Sequence, residues 1–198
     1  MKKSFRNSTT DHKIILGLVG EIASGKDTVA AYLNKKHHSQ TISFSKPLRD
    51  ILDRIFLPQT RENLAWLGYD LRQRFGQDVL AKTITQEAIK NKSKVVVLPN
   101  VRLPQDIKYF KKMPGFYLVA IEAEAKTRYQ RLIKRSQNAD DKSKSWQQFL
   151  KDAKLPTETS IRKIARQSKY KIDNNGDFKN LYQQIESLIQ KAKNINNE

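Results

Sequence analysis

Seven consecutive residues, Gly20-Glu21-Ile22-Ala23-Ser24-Gly25-Lys26, have the spacing G-x-x-x-x-G-K, which suits the gripping of a polyphosphate. The two glycines let the backbone curl until successive N–H groups point inward at one set of anionic oxygens. A helix starting near Lys26 adds the positive end of its dipole, and the lysine can bridge the outer two phosphates. Gly20, Ala23, Ser24, Gly25, Lys26, Asp27 and Thr28 are accordingly the candidate phosphate-binding residues. The motif commonly continues with a Ser or Thr that holds magnesium, but here Asp27 follows, with Thr28 behind it. A carboxylate can serve the same hard cation directly or through water, so Asp27 is the candidate metal residue. The alternative is an acidic residue favoured in a first helical turn by the dipole alone.

Basic residues supply the other half of such chemistry. Phosphoryl transfer needs two phosphates held in line and their charge neutralised, work that lysine, arginine and magnesium can do. Arg128, Arg131 and Arg135 fall at i, i+3 and i+7, near one face of a helix. Arg102 comes just after the apolar run Val95–Leu98, so it emerges at that strand's carboxyl end with a fork suited to phosphate. Solvated basic surface is the competing reading for each of these arginines. Together with Lys26, Arg128 and Arg131 are the candidate catalytic residues.

A frame must position these side chains. Lys13–Val19, Thr41–Phe44, Val95–Leu98, Phe116–Ile121 and Tyr170–Ile172 read as short strands, Lys13–Val19 and Val95–Leu98 as buried ones. Helical patterns lie between them: one after Gly25, one from Pro47, and further ones over 61–90 with breaks near Gly68 and Gly76. Others open at Pro104, cover Lys126–Arg135 and cover Trp146–Asp152. The last carries Phe178, Leu181, Tyr182, Ile185, Leu188 and Ile189 as one apolar stripe. Strands alternating with helices predict a parallel sheet covered on both faces, with ligands at the carboxyl ends of the strands. Trp66, Phe75 and Trp146 read as packing residues.

Composition narrows the setting. A chain of 198 residues fits one domain and needs no disulfide or metal staple to close its core. It has no cysteine, so thiolate metal sites and cysteine nucleophiles are excluded and a reducing, cytoplasmic setting is expected. His12, His37 and His38 are the only histidines. No apolar run approaches the roughly 20 residues needed to span a bilayer, so no membrane partner is expected. Net charge is +18, from 38 basic and 20 acidic residues, and favours anionic partners. Residues 126–171 carry 14 Lys or Arg against four acids. Nucleic acid is the less favoured partner, because the sequence carries no second ATPase motif.

Beyond the glycine loop, several segments in chain order resemble the phage-type deoxynucleoside monophosphate kinases. They are Gly25-Lys26-Asp27-Thr28, Ser43-Phe44-Ser45-Lys46-Pro47-Leu48, Leu71–Val79, Asn100-Val101-Arg102 with Pro104 and Asp106, and Arg128–Arg135. Ile172-Asp173-Asn174-Asn175-Gly176 resembles a turn that dephospho-coenzyme A kinases also carry. Lys46 and Asn100 stand where those kinases commonly have acidic residues.

The resemblance implies a three-layer α/β/α P-loop fold with a five-stranded parallel sheet, a helical acceptor-binding insertion and a small lid. The kinase domain is expected over 13–192, with an acceptor region about 45–92, a lid about 128–156 and tails at 1–12 and 193–198. The implied activity is magnesium-dependent transfer of the γ-phosphoryl group of ATP to a nucleoside monophosphate, a deoxynucleotide in first place, by a monomer or homodimer. The alternatives are a dephospho-coenzyme A kinase-like enzyme and, on the net charge of +18, a nucleotide-dependent nucleic-acid-binding protein. In that scheme Lys46, Arg72, Gln73, Arg74 and Arg102 bind the acceptor, Arg128 and Arg131 belong to the lid, and Asn174, Asn175 and Gly176 border the donor's adenine.

Overall fold

The computed structural model describes residues 13–135 and 142–195. Apolar runs build its sheet. β1 (Ile14–Val19) is buried along its whole length and lies between β3 (Val95–Leu98) and β4 (Phe116–Glu122). The edges are β2 (Gln40–Thr41) beside β3 and β5 (Tyr170–Asp173) beside β4, giving the order β2-β3-β1-β4-β5 with every pairing parallel.

Alternation along β1 divides the core in two. Ile14, Leu16 and Leu18 pack with α1 (Lys26–His37) and α9 (Phe178–Ile195). Ile15 and Val19 face the other way, toward α4 (Val79–Lys90), α5 (Pro104–Phe110) and α8 (Pro156–Arg166). Period-two strands sandwiched by helices therefore give the three-layer α/β/α fold expected from the sequence.

A helical lobe is inserted after β2. Leu48 and Leu52 of α2 (Ser45–Arg54), Leu67 of α3 (Arg61–Phe75) and Leu80 of α4 form its small core. Three sequence expectations change here. β2 ends at Thr41 instead of running to Phe44, because Phe44 packs against both the lobe core and the sheet core and caps α2. α2 starts two residues before Pro47, which is tolerated because the first four N–H groups of a helix have no intrahelical partner. α3 runs unbroken through Gly68, where a Cβ would come within 3.2 Å of the Leu48 side chain, so that glycine serves helix approach. The break comes only at Gly76.

The segment expected as a lid contains α6 (Ala125–Arg135) and α7 (Trp146–Asp152), and its residues 136–141 lie outside the described residues. Trp146 packs there as expected, with Tyr129 and Phe149 at centroid distances of 5.2 and 5.5 Å. Trp66 and Phe75, by contrast, are more than half exposed. α8 has no counterpart in the sequence reading, since only Ile161 and Ile164 of its eleven residues are fully buried and no apolar stripe announces it. The expected tail at 1–12 falls outside the described residues, and α9 continues to Ile195 into the other one. No helix among the described residues is long and apolar enough to cross a membrane.

Candidate active site

The glycine loop leaves the carboxyl end of β1 and returns directly into α1. Gly25 takes φ 101°, and a Cβ there would sit 2.0 Å from the side-chain nitrogen of Asn174. Only glycine permits both the backbone angle and that approach. Asn174 is buried, its Nδ2 donates to the Ser24 carbonyl at 2.8 Å, and its own N–H donates to the Glu122 carbonyl at 2.8 Å. The loop is thus tied to the end of β5. Lys26 Nζ donates to the carbonyls of Gly20 (2.7 Å) and Glu21 (3.1 Å), folding across the loop.

A cleft of about 890 Å³ opens in front of the loop. Gly20, Ala23, Gly25, Lys26, Asp27 and Thr28 line its floor. Asn100 and Arg102 line it from the segment after β3 and Arg61 from the start of α3; Asn174, Gly176, Asp177 and Phe178 line it from the segment after β5. Arg131 and Lys134 of α6 complete it. The Nη1 of Arg131 is buried and has no hydrogen-bond partner among the described residues, a costly state that an incoming anion would relieve.

Three residues before Arg131, Arg128 does something different. It is 5% exposed and its Nη2 pairs with Glu21 at 3.2 Å, while Nε donates to the Ala123 carbonyl at 3.0 Å. Arg162 of α8 reaches the other oxygen of Glu21 at 2.9 Å. One carboxylate of the loop therefore holds two guanidinium groups, one from α6 and one from α8. The N–H of Ile22 donates weakly to Glu158 of α8 at 3.4 Å, and Ser160 donates to the carbonyl of Arg102 at 3.1 Å. α8 consequently touches the phosphate loop and the Arg102 segment within one turn. Ser24 is buried behind the loop, where it borders a smaller cavity of about 260 Å³ shared with Arg128 and Arg162.

Of the remaining sequence candidates, Gly176 lines the cleft but Asn175 turns away. Its Oδ1 accepts the N–H of Glu124 at 2.7 Å, and its amide donates to Asp173. Lys46 is exposed and pairs with Asp50 of its own helix. Arg72 donates to the Gly68 carbonyl at 3.0 Å, also within its own helix. Gln73 and Arg74 are exposed on α3 and do not line the cleft. Arg61, Glu158 and Arg162 escaped the sequence reading, and Phe178, expected in the apolar stripe of the last helix, is instead 64% exposed at the cleft. Arg61 directly follows Thr60, whose side chain caps α3, so a helix-start signal was present without any hint that the first turn faces the cleft.

No protein-family model matches the chain. A UPF0200 protein of Pyrococcus furiosus is 30% identical over 181 residues, which cover 89% of this chain and 96% of that one. The chain belongs to the UPF0200 family. Among solved structures, the UPF0200 chain is similar to shikimate kinase from Bacteroides thetaiotaomicron (TM-score 0.58, 14% identity, 90% and 97% of the two chains). It is also similar to a gluconokinase from Sinorhizobium meliloti (TM-score 0.51, 13% identity, 92% and 95%). At these identities the likeness is one of fold: this UPF0200 chain has the fold of the P-loop kinases.

Two electrostatic features complete the UPF0200 site. Asp106 of α5 is buried, and burial pushes its carboxyl up to about 6, with Arg72 of α3 pulling the other way. Among the described residues no three acidic or histidine side chains cluster to hold a metal ion. Asp27, exposed on the cleft floor, fits a magnesium ion that takes most of its ligands from phosphate oxygens and water.

Proposed function

We propose that this protein is a kinase that moves the γ-phosphoryl group of ATP onto the phosphate of a nucleoside monophosphate. The loop from Gly20 to Thr28 receives the β- and γ-phosphates. Lys26 exchanges its loop carbonyls for phosphate oxygens, and Arg131 takes up charge that develops on the group in flight. Asp27 would hold magnesium, which when bound neutralises the triphosphate.

The observation that carries the acceptor assignment is the set of cleft residues contributed by the segment after β3 and the start of α3. Arg102 and Arg61 line the cleft from these two segments, with Asn100 between β3 and Arg102. Of the carboxylates that line the cleft, Asp177 caps α9, Glu158 accepts the Ile22 N–H, and Asp27 lies at the start of α1. An acceptor hydroxyl needs a base to take its proton, whereas a phosphate monoanion or dianion arrives with its nucleophilic oxygen already ionised and needs cations. Two arginines and an amide serve the second kind. The acceptor oxygen bonds to the γ-phosphorus, the bond to the β–γ bridging oxygen breaks, and ADP leaves.

The test is ADP release from ATP across nucleoside monophosphates, dephospho-coenzyme A, the parent nucleosides, shikimate and gluconate. Turnover is expected with one or more monophosphates and not with their nucleosides. Turnover on a hydroxyl acceptor with every monophosphate inert would overturn the reading.

A further inference from the structure

Topology sets the direction in which a donor nucleotide must lie. The phosphate loop follows β1, and the candidate acceptor arginine Arg102 follows β3 on one side of it. With the γ-phosphate directed toward that side, the nucleoside end of the donor extends the opposite way, past β4 to the end of β5. The cleft residues there are Asn174, Gly176, Asp177 and Phe178.

Phe178 is unusual among them. It is a large apolar ring, 64% exposed, at the first position of α9. Its position is backed by other rings: Phe178 stacks on Tyr182 with centroids 5.8 Å apart and planes at 20°, and Tyr182 stacks on Tyr32 of α1 at 4.0 Å and 13°. The Tyr32 hydroxyl is in turn fixed by Glu186 at 2.8 Å. The ring at the cleft is therefore the open end of an anchored aromatic ladder, and the exposed face of such a ladder suits a flat heteroaromatic group.

The polar side chains around it are already engaged. Asn174 is spent on the Ser24 carbonyl, and Asn175 on Glu124 and Asp173. Asp177 accepts the N–H of Asn180, and Gln184 spans Asp173. A site that reads a base strongly does so by leaving polar groups unpaired for the wrong base. Here the ring offers a face instead, and every base has a face.

We propose that Phe178 is the platform on which the donor's purine stacks, and that the donor site takes adenine and guanine nucleotides alike. This rests on the reading that the glycine loop holds the donor phosphates. The experiment is calorimetric binding of ADP, GDP and tripolyphosphate to the full chain and to Phe178→Ala, Phe178→Trp and Lys26→Ala. ADP and GDP should bind within about fivefold of each other. Phe178→Ala should weaken both about tenfold and leave tripolyphosphate unchanged, and Phe178→Trp should restore both. A preference between the bases larger than about fivefold, ADP affinity indifferent to Phe178→Ala, or equal loss of tripolyphosphate in that variant would overturn the proposal. Tripolyphosphate binding that is absent, or untouched by Lys26→Ala, would instead bring down the donor reading and the proposal with it.

Discussion

The half of the cleft built around the glycine loop and the helical lobe inserted after β2 are built on different principles. Around the glycine loop, polar side chains are buried or half-buried and all committed: Asn174 to the loop backbone, Glu21 to Arg128 and Arg162, Lys26 to two carbonyls. In the lobe, Lys46, Gln73 and Arg74 are exposed, and Phe56, Trp66, Tyr69 and Phe75 are more than half exposed around a core of four leucines. The glycine-loop half is thus a preformed receptacle whose cost was met on folding, whereas the lobe is a light frame that brings Arg61 to the cleft and little else. Preorganised charge is what stabilises a transition state, so damage in the first half should reach chemistry and stability, and damage in the second should scarcely be felt.

The largest effect is expected from Lys26→Ala. Losing the one ammonium that spans the loop should cut turnover by about 10² to 10³, or about 3–4 kcal/mol, with the unfolding transition near wild type. Single-turnover kinetics with a melting curve separates the two. Normal turnover would mean that the receptacle is not where the chemistry occurs.

Glu21→Gln tests the rear of the same receptacle. The substitution keeps the shape and removes the charge that both guanidinium groups share, leaving Arg128 nearly buried without its partner. Breaking a fully buried pair costs about 3–5 kcal/mol; partial exposure of Arg162 lowers the expectation to about 2–3 kcal/mol of stability. Denaturant titration checks it. A loss of turnover with full stability would make Glu21 part of the chemistry instead of part of the brace.

Legibility followed the same division. The loop could be placed from sequence because its spacing is a backbone requirement: glycine at a left-handed φ, lysine one residue on, a helix after it. Arg128 and Arg131 were readable as neighbours on a helix, but which of them lines the cleft depends on Glu21 and on α8, and nothing local to α6 reveals that. α8 itself went unseen because two isoleucines make its whole buried stripe. Arg61, at the cleft, and Lys46, away from it, both open lobe helices. Their directions are set by how α2 and α3 pack at Leu48 and Gly68, a tertiary matter that residue order does not encode.

On α5, within the field of Arg72 of the lobe, Asp106 offers a pH handle. Its folded carboxyl titrates at about 6, above its ordinary 3.8, so the favourable protonated form is fully present below about pH 4 and is lost as pH rises through 6. Above that, the ionised group is held buried at a net cost of about 3 kcal/mol, the pull of Arg72 included. Asp106→Asn should therefore come close to wild type in stability at pH 4 and exceed it by up to about 3 kcal/mol at pH 8. A difference that stays constant between those pH values would mean that packing, and not charge, distinguishes the two side chains.

The smallest effect should come from Lys46→Ala, and it decides how literally the lobe is to be taken. Lys46 occupies a position that the resemblance marks for acceptor binding, yet it stands 62% exposed and spends its charge on Asp50 one turn along. Exposed pairs of this kind add almost nothing measurable, so the melting temperature should hold within about 1 °C. The acceptor's KM should hold within about twofold, while Arg102→Ala, which removes one fork from one substrate, raises it about tenfold without moving the KM of ATP. The pair of measurements discriminates between two lobes. If Lys46→Ala is silent and Arg102→Ala is not, the acceptor is held from β3 and the first turn of α3, and the lobe needs no rearrangement to work. If both raise the acceptor's KM, α2 must swing until Lys46 leaves Asp50 for the acceptor phosphate. The light packing of the lobe would then be the property that permits closure.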